Sequence, residues 1–177
     1  MNIFLIKILN FLYFTFSKSG TKTSSIDEFF YPLDKISNWN YFYGTKGFLQ
    51  YQFCLPLENS YDGIHEILNV IHKSKHTSFT SVLKLMGNQN QNLLSFPIKG
   101  YTLALDFIRD QNIFKLLDKL DEIVIKYKGR VYLTKDARLK KDSFLKMYDN
   151  YQHFIDVRNK YNLLNKIESY QSKRLDI

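Results

Sequence analysis

Four segments of the chain alternate apolar and polar residues, and this alternation limits the folds that the sequence can adopt. Because successive side chains of a β-strand point to opposite faces, such a pattern predicts strands with one apolar and one polar face. The predicted strands are residues 47–55, 78–86, 101–107 and 130–134. Their polar sides carry Gln50, Gln52, Lys84, Thr102, Asp106, Tyr132 and Thr134.

Helical spacing of apolar residues occurs between and after these strands. It predicts helices over residues 62–73, 110–127, 141–148 and 151–161, with Asp110 as an N-cap and Gly129 just beyond the end of the second helix. The order is strand, helix, strand, strand, helix, strand, helices. This order favours an α+β fold, a mainly antiparallel sheet with helices packed on its apolar face.

The polar face of the predicted sheet has two interpretations. It could close over a ligand as a pocket, or it could be the solvated face of a two-layer domain. The solvated face is the more common use of such alternation, and periodicity by itself favours it.

The first 16 residues are strongly apolar but include Lys7 and Asn10. A membrane span needs about 20 apolar residues, so we expect a helix here rather than an anchor or signal peptide. The small, polar residues 17–27 predict a flexible connector, and the domain boundary is expected near residue 24. The aromatic stretch that follows, interrupted by Pro32, predicts an extended segment packed into the core.

Charge and cysteine content restrict partners and compartment. The formal charge of +8 favours anionic partners such as phosphates or lipid headgroups. The single cysteine, Cys54, excludes an internal disulfide and suits a reducing compartment, so a cytoplasmic location is expected. His72 and His76 have the spacing of helical metal ligands, but without an acidic third ligand we expect a solvated helix end and no metal site.

Several phrases in order along the chain, from Phe30-Tyr31-Pro32-Leu33-Asp34 onward, carry a resemblance to a known family. The others are Gly47-Phe48-Leu49-Gln50-Tyr51-Gln52, Ser81-Val82-Leu83-Lys84, Leu94-Ser95-Phe96-Pro97, Gly100-Tyr101-Thr102-Leu103-Ala104-Leu105-Asp106-Phe107 and Tyr132-Leu133-Thr134-Lys135-Asp136-Ala137-Arg138. Together they resemble the C-terminal, substrate-binding region of FAD-dependent oxidoreductases of the vanillyl-alcohol-oxidase superfamily. The decaprenylphosphoryl-ribose 2'-oxidase group is the most similar, and the sugar-lactone oxidases, such as D-arabinono-1,4-lactone oxidase, are more distant. The resemblance covers residues 29–177.

The resemblance implies a domain whose sheet covers the isoalloxazine ring of FAD and forms the pocket for a sugar or a polyprenyl-phosphate sugar. Lys135 and Tyr132 would be the catalytic residues, and the substrate- or flavin-facing residues would be Gln50, Gln52, Lys84, Thr102 and Asp106. Lys135 has the opposite parity to Tyr132, so it reaches the pocket only if the strand ends or twists after Thr134. Thr102 and Ala104 stand where actinobacterial members carry asparagine and cysteine, which leaves the substrate open.

These 177 residues contain no Gly-rich loop for a pyrophosphate. FAD would therefore be bound mainly by a separately encoded or detached domain, and we expect a truncated or split chain that is inactive by itself. The alternative is a non-catalytic binding module for a phosphorylated sugar or polyprenyl-phosphate lipid. Peripheral contact of Lys140-Lys141 and Lys173-Arg174 with the inner membrane stays open, although solvated charge is more common. Nucleic-acid binding is not expected, because the basic residues do not cluster with exposed aromatics.

Overall fold

A computed structural model describes residues 3–35, 37–164 and 166–177. The chain divides into two compact units, Met1–Phe48 and Leu49–Ile177. The boundary expected near residue 24 lies inside the first unit.

The first unit is built from short helical segments. Helix α1 spans Ile3–Phe16, α2 spans Ile26–Phe30, and 3-10 turns cover Pro32–Lys35 and Trp39–Tyr43. The Ser25 side chain caps α2 by accepting a hydrogen bond from the Glu28 amide. Tyr43 is buried and its ring stacks on that of Phe48, with centroids 4.2 Å apart.

The prediction of an extended aromatic segment packed into the core is therefore wrong for this region. Residues 26–30 form a helix, because Ser25 supplies a cap and Pro32 comes only after the helix has ended. The aromatic side chains of Phe29, Phe30 and Tyr41 are exposed rather than buried.

The second unit contains a four-stranded antiparallel sheet in the order β2-β3-β1-β4. The strands are β1 (Phe48–Pro56), β2 (Ser78–Met86), β3 (Gly100–Ile108) and β4 (Arg130–Val131). Phe53 pairs with Val131 across β1 and β4, and Lys84 pairs with Thr102 across β2 and β3. The predicted α+β class and antiparallel sheet are confirmed.

The helices of this unit are α3 (Leu57–Ser74), α4 (Ile113–Lys126), α5 (Lys141–Met147), α6 (Tyr151–Lys160) and α7 (Tyr170–Leu175). The N-cap of α4 is Asn112 and not the predicted Asp110, which lies two residues earlier. The Asp110 Oδ1 nevertheless accepts hydrogen bonds from the amides of Asn112 at 2.7 Å and Ile113 at 2.8 Å. Helix α3 begins five residues before its predicted start, directly after Pro56. Helix α7 was not predicted, because its six residues are too few to show a period.

The fourth strand is shorter than predicted. It ends at Val131 instead of residue 134, and the chain turns into a 3-10 segment, Leu133–Lys135. Tyr132 donates its amide to the Gln52 carbonyl at 2.8 Å, and Lys135 then donates its amide to the Tyr132 carbonyl at 3.1 Å. This turn ends the strand alternation, so the parity of a residue after Tyr132 no longer tells which face its side chain occupies.

The core lies on the apolar face of the sheet. It joins β1, β3 and β4 to α3, α4, α5 and α7 and includes Phe53, Leu55, Ile67, Phe107, Leu120, Val131, Phe144 and Leu175. Gly100 allows β3 to approach β1 closely, since a Cβ at this position would overlap the Leu55 carbonyl oxygen. Leu83 and Leu85 of β2 share the parity of this face but remain exposed.

Candidate functional site

A cavity of about 470 Å³ lies at the polar face of the sheet. Strands β1 and β2, the loop between β2 and β3, and the 3-10 turn after β4 contribute to its wall. Its lining residues are Gln52, Lys84, Met86, Asn90, Asn92, Leu94, Ser95, Phe96, Pro97, Tyr132, Leu133, Thr134, Lys135 and Tyr148. Because about half of these residues have polar or charged side chains, the cavity is more polar than a typical small-molecule site and suits a polar ligand.

Four of the seven predicted site residues line this cavity: Gln52, Lys84, Tyr132 and Lys135. Lys135 does so because the strand ends early and the 3-10 turn carries it to the side of Tyr132. Its Nζ lies 6.0 Å from the centroid of the Tyr132 ring, at the outer limit of a cation–π contact. The backbone turn therefore brings Lys135 to the same cavity as Tyr132, although the two residues have opposite parity in the sequence.

The other three predicted residues, Gln50, Thr102 and Asp106, lie on the same face but do not line the cavity. Thr102 is buried, accepts a hydrogen bond from Gln52 Nε2 at 3.0 Å and donates to the Phe53 carbonyl at 2.8 Å. Asp106 is buried and accepts from Gln50 Nε2 at 2.7 Å. Thr102 therefore fixes the orientation of the side-chain amide of Gln52.

One wall of the cavity was missed in the sequence. Residues 87–99 form a loop in which the Phe96 ring stacks on the Tyr132 ring, with centroids 4.4 Å apart and planes inclined by 23°. Arg130 Nη1 donates to the Ser95 carbonyl at 2.6 Å, and Cys54 Sγ contacts the Ile98 carbonyl at 3.4 Å. The Leu94-Ser95-Phe96-Pro97 phrase was visible in the sequence, but no periodicity indicated that it returns to β4.

Ser95 is 5% exposed, and its hydroxyl has no hydrogen-bond partner among the residues that the structure describes. The Nε of Arg130, next to the same loop, is also buried without a hydrogen-bond partner among the described residues. Leaving a buried donor unpaired costs about 1–3 kcal/mol.

Behind the cavity, Tyr148 and Arg130 hold the end of β4. The Tyr148 hydroxyl donates to the Val131 carbonyl at 2.7 Å, and the Arg130 guanidinium lies 5.2 Å from the centroid of the Tyr148 ring. Burial raises the pKa of Tyr148 well above its usual value, so the hydroxyl remains a neutral donor.

Helix α7 fixes the turn that carries Lys135. Asp136 contacts the Arg174 guanidinium and accepts the amides of Arg138 at 2.8 Å and Leu139 at 2.7 Å. Gln171 Nε2 donates to the Leu133 carbonyl at 2.6 Å. The position of Lys135 thus depends on a C-terminal helix that the sequence did not predict.

A second cluster of ionisable groups lies in the core, away from the cavity. Arg138 contacts Asp121 and Asp118, each at 2.5 Å, and the Tyr51 hydroxyl donates to Asp121 at 2.9 Å. Burial raises the pKa of Asp121, against the opposing effect of Arg138. None of these groups lines the cavity. The cluster instead connects α4 to β1 through Tyr51 and to the segment after β4 through Arg138.

Lys84 and Lys135 make no ion pair with a carboxylate in the part of the chain that the structure describes. Within the same ranges, no three His, Cys, Asp or Glu side chains are close enough to hold a metal ion. Fold and site together define a two-layer α+β domain whose sheet supports a cationic cavity with an aromatic wall, suited to an anionic or hydroxyl-rich ligand.

Comparison with known proteins identifies relatives. The chain is 36% identical over 165 residues, 92% of its length, to decaprenylphosphoryl-beta-D-ribose oxidase of Mycolicibacterium smegmatis, and the match covers 36% of that oxidase. It is also 36% identical over 78 residues to an uncharacterized protein of Streptomyces coelicolor, covering 44% of this chain and 21% of that protein. No family model matches the sequence. The chain is therefore related to the ribose oxidase and spans about a third of its length.

Helix α1 is rich in apolar residues but has only 14 residues. Among the described residues, no helix is both long and apolar enough to cross a bilayer.

Proposed function

We propose that this chain is the substrate-binding portion of an FAD-dependent oxidoreductase that oxidises a secondary alcohol of a sugar. The observation that carries the proposal is the convergence of Gln52, Lys84, Tyr132 and Lys135 on one cavity. All four belong to the phrases that the sequence shares with this enzyme class, and the chain is related to a ribose oxidase over 92% of its length.

The charges of the cavity favour a substrate that carries phosphate. Lys84 and Lys135 present two ammonium groups, and a lysine holds a phosphate as a point charge. The related oxidase acts on a decaprenylphosphoryl ribose. A sugar linked through phosphate to a polyprenyl chain is thus the substrate class that this cavity suits best, ahead of an uncharged sugar lactone.

The cations of the cavity also support binding of one side of a flavin ring. The two lysines supply donors of the kind that ring carbonyls and developing negative charge require. When bound, FAD would accept the hydride from the sugar carbon. We propose that its pyrophosphate is held by a flavin-binding domain, in the same polypeptide or in a partner.

The side chains of the cavity have separable roles in this proposal. Gln52, with its Nε2 anchored on Thr102, accepts a sugar hydroxyl through its carbonyl oxygen. The Tyr132 hydroxyl orients the sugar, and the stacked rings of Tyr132 and Phe96 exclude water from that side. As the reacting hydroxyl releases its proton to solvent water, the Lys135 ammonium stabilises the negative charge that develops on the oxygen.

Location follows from the substrate class. A polyprenyl phosphate resides in a membrane, so we propose a cytoplasmic protein that contacts the membrane surface peripherally. The exposed apolar side chains of Phe11 and Phe14 on α1 support such contact.

The test begins with the isolated chain, titrated calorimetrically with ribose 5-phosphate and with a farnesylphosphoryl ribose. Lys84→Met and Lys135→Met should each weaken binding at least tenfold, because each removes a charge-assisted contact of about 1.5–3 kcal/mol. Lys99→Met, a change at an exposed residue outside the cavity, is the matched control. Equal affinities in all four proteins would exclude the cavity as the sugar-phosphate site.

The second stage adds a flavin-binding domain by co-expression and follows flavin absorbance after addition of the sugar. Bleaching that Lys135→Met removes is the expected result. Binding of the sugar phosphate without any bleaching would instead identify a non-catalytic binding module.

A further inference from the structure

Strand β2 forms one edge of the sheet, and its outer side is open. The sheet order places β3 on one side of β2 and no described strand on the other. A bulge between Ser78 and Ser81 is followed by regular pairing with β3 up to Met86. For residues 81–85, β3 is the only backbone partner among the residues that the structure describes, and all five side chains are exposed.

The opposite edge of the sheet is protected. Strand β4 has only two residues, and nearby helices satisfy its carbonyls and those of the following turn: Tyr148 donates to Val131 and Gln171 donates to Leu133. Short edge strands and covered edges are the usual means by which proteins prevent strand addition. β2 has nine residues and is neither short nor covered by described residues at 81–85; its bulge lies before Ser81, and its one charged side chain is Lys84.

Apolar surface adjoins the open edge. Leu83 is 57% exposed and Leu85 is 65% exposed, although both have the parity of the core face. Leu83 lines a cavity of about 440 Å³ between β2 and helix α3, and Leu85 lies two residues further along the same face of β2. The lining residues are Leu57, Ser60, Tyr61, Ile64, His65, Leu68, Leu83 and Tyr101. The two-layer core is therefore incomplete at one side, where an additional strand would bury both leucines.

Two observations indicate the occupant. The match to the ribose oxidase leaves about two thirds of that protein unmatched, which is where further strands of such an enzyme would come from. A second copy of this chain fits poorly, because both copies carry a charge of +8 and antiparallel pairing of two β2 strands would bring their Lys84 side chains close together.

We propose that the outer edge of β2, with Leu83, Leu85 and the adjoining groove, binds a β-strand of the flavin-binding portion and extends the sheet. The added strand pairs with the backbone of residues 81–86 and places alternate apolar side chains over the groove. This inference rests on the proposed function, which requires such a partner. Because Lys84 lies on the same strand, docking at this edge also brings the partner next to the cavity.

The experiment uses the full chain and, as probe, the part of the Mycolicibacterium smegmatis oxidase outside the matched 165 residues. The two are co-expressed, and hydrogen exchange is measured with and without the partner. We expect a complex in which the amides of residues 81–86 exchange at least tenfold more slowly. The double variant Leu83→Lys/Leu85→Lys should weaken the complex at least tenfold. Val157→Lys/Ile167→Lys, which adds the same charge at other exposed apolar residues, should not.

Any of four results would overturn this inference: no complex, a complex with unchanged exchange in β2, a complex insensitive to the leucine variants, or a β2-mediated dimer that persists with the partner present. Slower exchange caused by a farnesyl phosphate alone would assign the groove to a lipid chain instead. The proposed function fails separately, if the isolated chain binds no sugar phosphate or the assembled complex reduces no flavin.

Discussion

The rings of Phe96 and Tyr132 stack with their centroids 4.4 Å apart, and this contact joins the loop between β2 and β3 to the residue that follows β4. The two residues are 36 positions apart in the sequence, and together they form the aromatic wall of the cavity. The contact therefore links the integrity of the loop to ligand binding.

Phe96→Leu should lower the free energy of unfolding by about 1–2 kcal/mol, since it removes the aromatic pair and leaves a small void. It should also weaken sugar-phosphate binding, because the loop loses its attachment to Tyr132. Urea unfolding and calorimetric titration measure the two effects. Phe114→Leu, at a partly exposed position on α4, serves as the control and should leave binding unchanged.

Asp136→Ala should release the turn that holds Lys135. The variant loses two backbone contacts and the Arg174 partner, so a loss of about 3 kcal/mol in unfolding free energy is expected. Arg174→Ala should have a smaller effect of about 1–2 kcal/mol, because the backbone amides still contact Asp136. Both should weaken the sugar-phosphate complex, whereas Lys173→Ala should not. Unchanged affinity in Asp136→Ala would show that Lys135 is positioned without α7.

Arg138→Ala should destabilise the chain by about 3–5 kcal/mol, because it leaves the buried Asp121 carboxylate without its cation. Lys140→Ala, which removes an exposed partner of Asp118, should cost at most about 1 kcal/mol. Guanidinium unfolding of the two variants provides the comparison. Similar losses in both would mean that the buried cluster contributes no more than a surface ion pair.

Gly100→Ala should destabilise the sheet by about 2–3 kcal/mol or prevent folding, because its methyl group would overlap the Leu55 carbonyl oxygen. Gly87→Ala has open space at the corresponding position and should be tolerated. Thermal unfolding followed by circular dichroism distinguishes them. Equal melting temperatures would contradict the close approach of β1 and β3.

Cys54 is fully buried, and burial raises the pKa of its thiol. Because the thiolate is the reactive form, alkylation of the folded chain at pH 8 should be on the order of 100-fold slower than in denaturant. Because the pKa of Cys54 is raised, the alkylation rate of the folded chain should continue to rise at pH values above the usual thiol pKa. Since the chain has one cysteine, mass spectrometry of the labelled fraction measures this directly. Rapid labelling of the folded chain would show that the loop over Ile98 opens readily.

Local sequence information was sufficient to predict features that depend on regular residue spacing or on capping side chains. The alternation around Gln52, Lys84 and Thr102 predicted the shared face correctly, because a period of two assigns side chains to faces whatever the rest of the fold is. Asp110 likewise indicated a helix start nearby, and its carboxylate accepts the Ile113 amide although the N-cap is Asn112.

Tertiary contacts decided the features that no period encodes. The stop of β4 at Val131 depends on the Tyr148 hydroxyl and on α7, and this stop moves Lys135 to the side of Tyr132. The Phe96 contact and the exposure of Leu83 and Leu85 have the same origin. The sequence by itself determined the first three strands, the α+β class and the face that carries the polar residues. Only the tertiary structure decided which of those residues line a cavity and which strand edge is left open, because both depend on distant segments packing together.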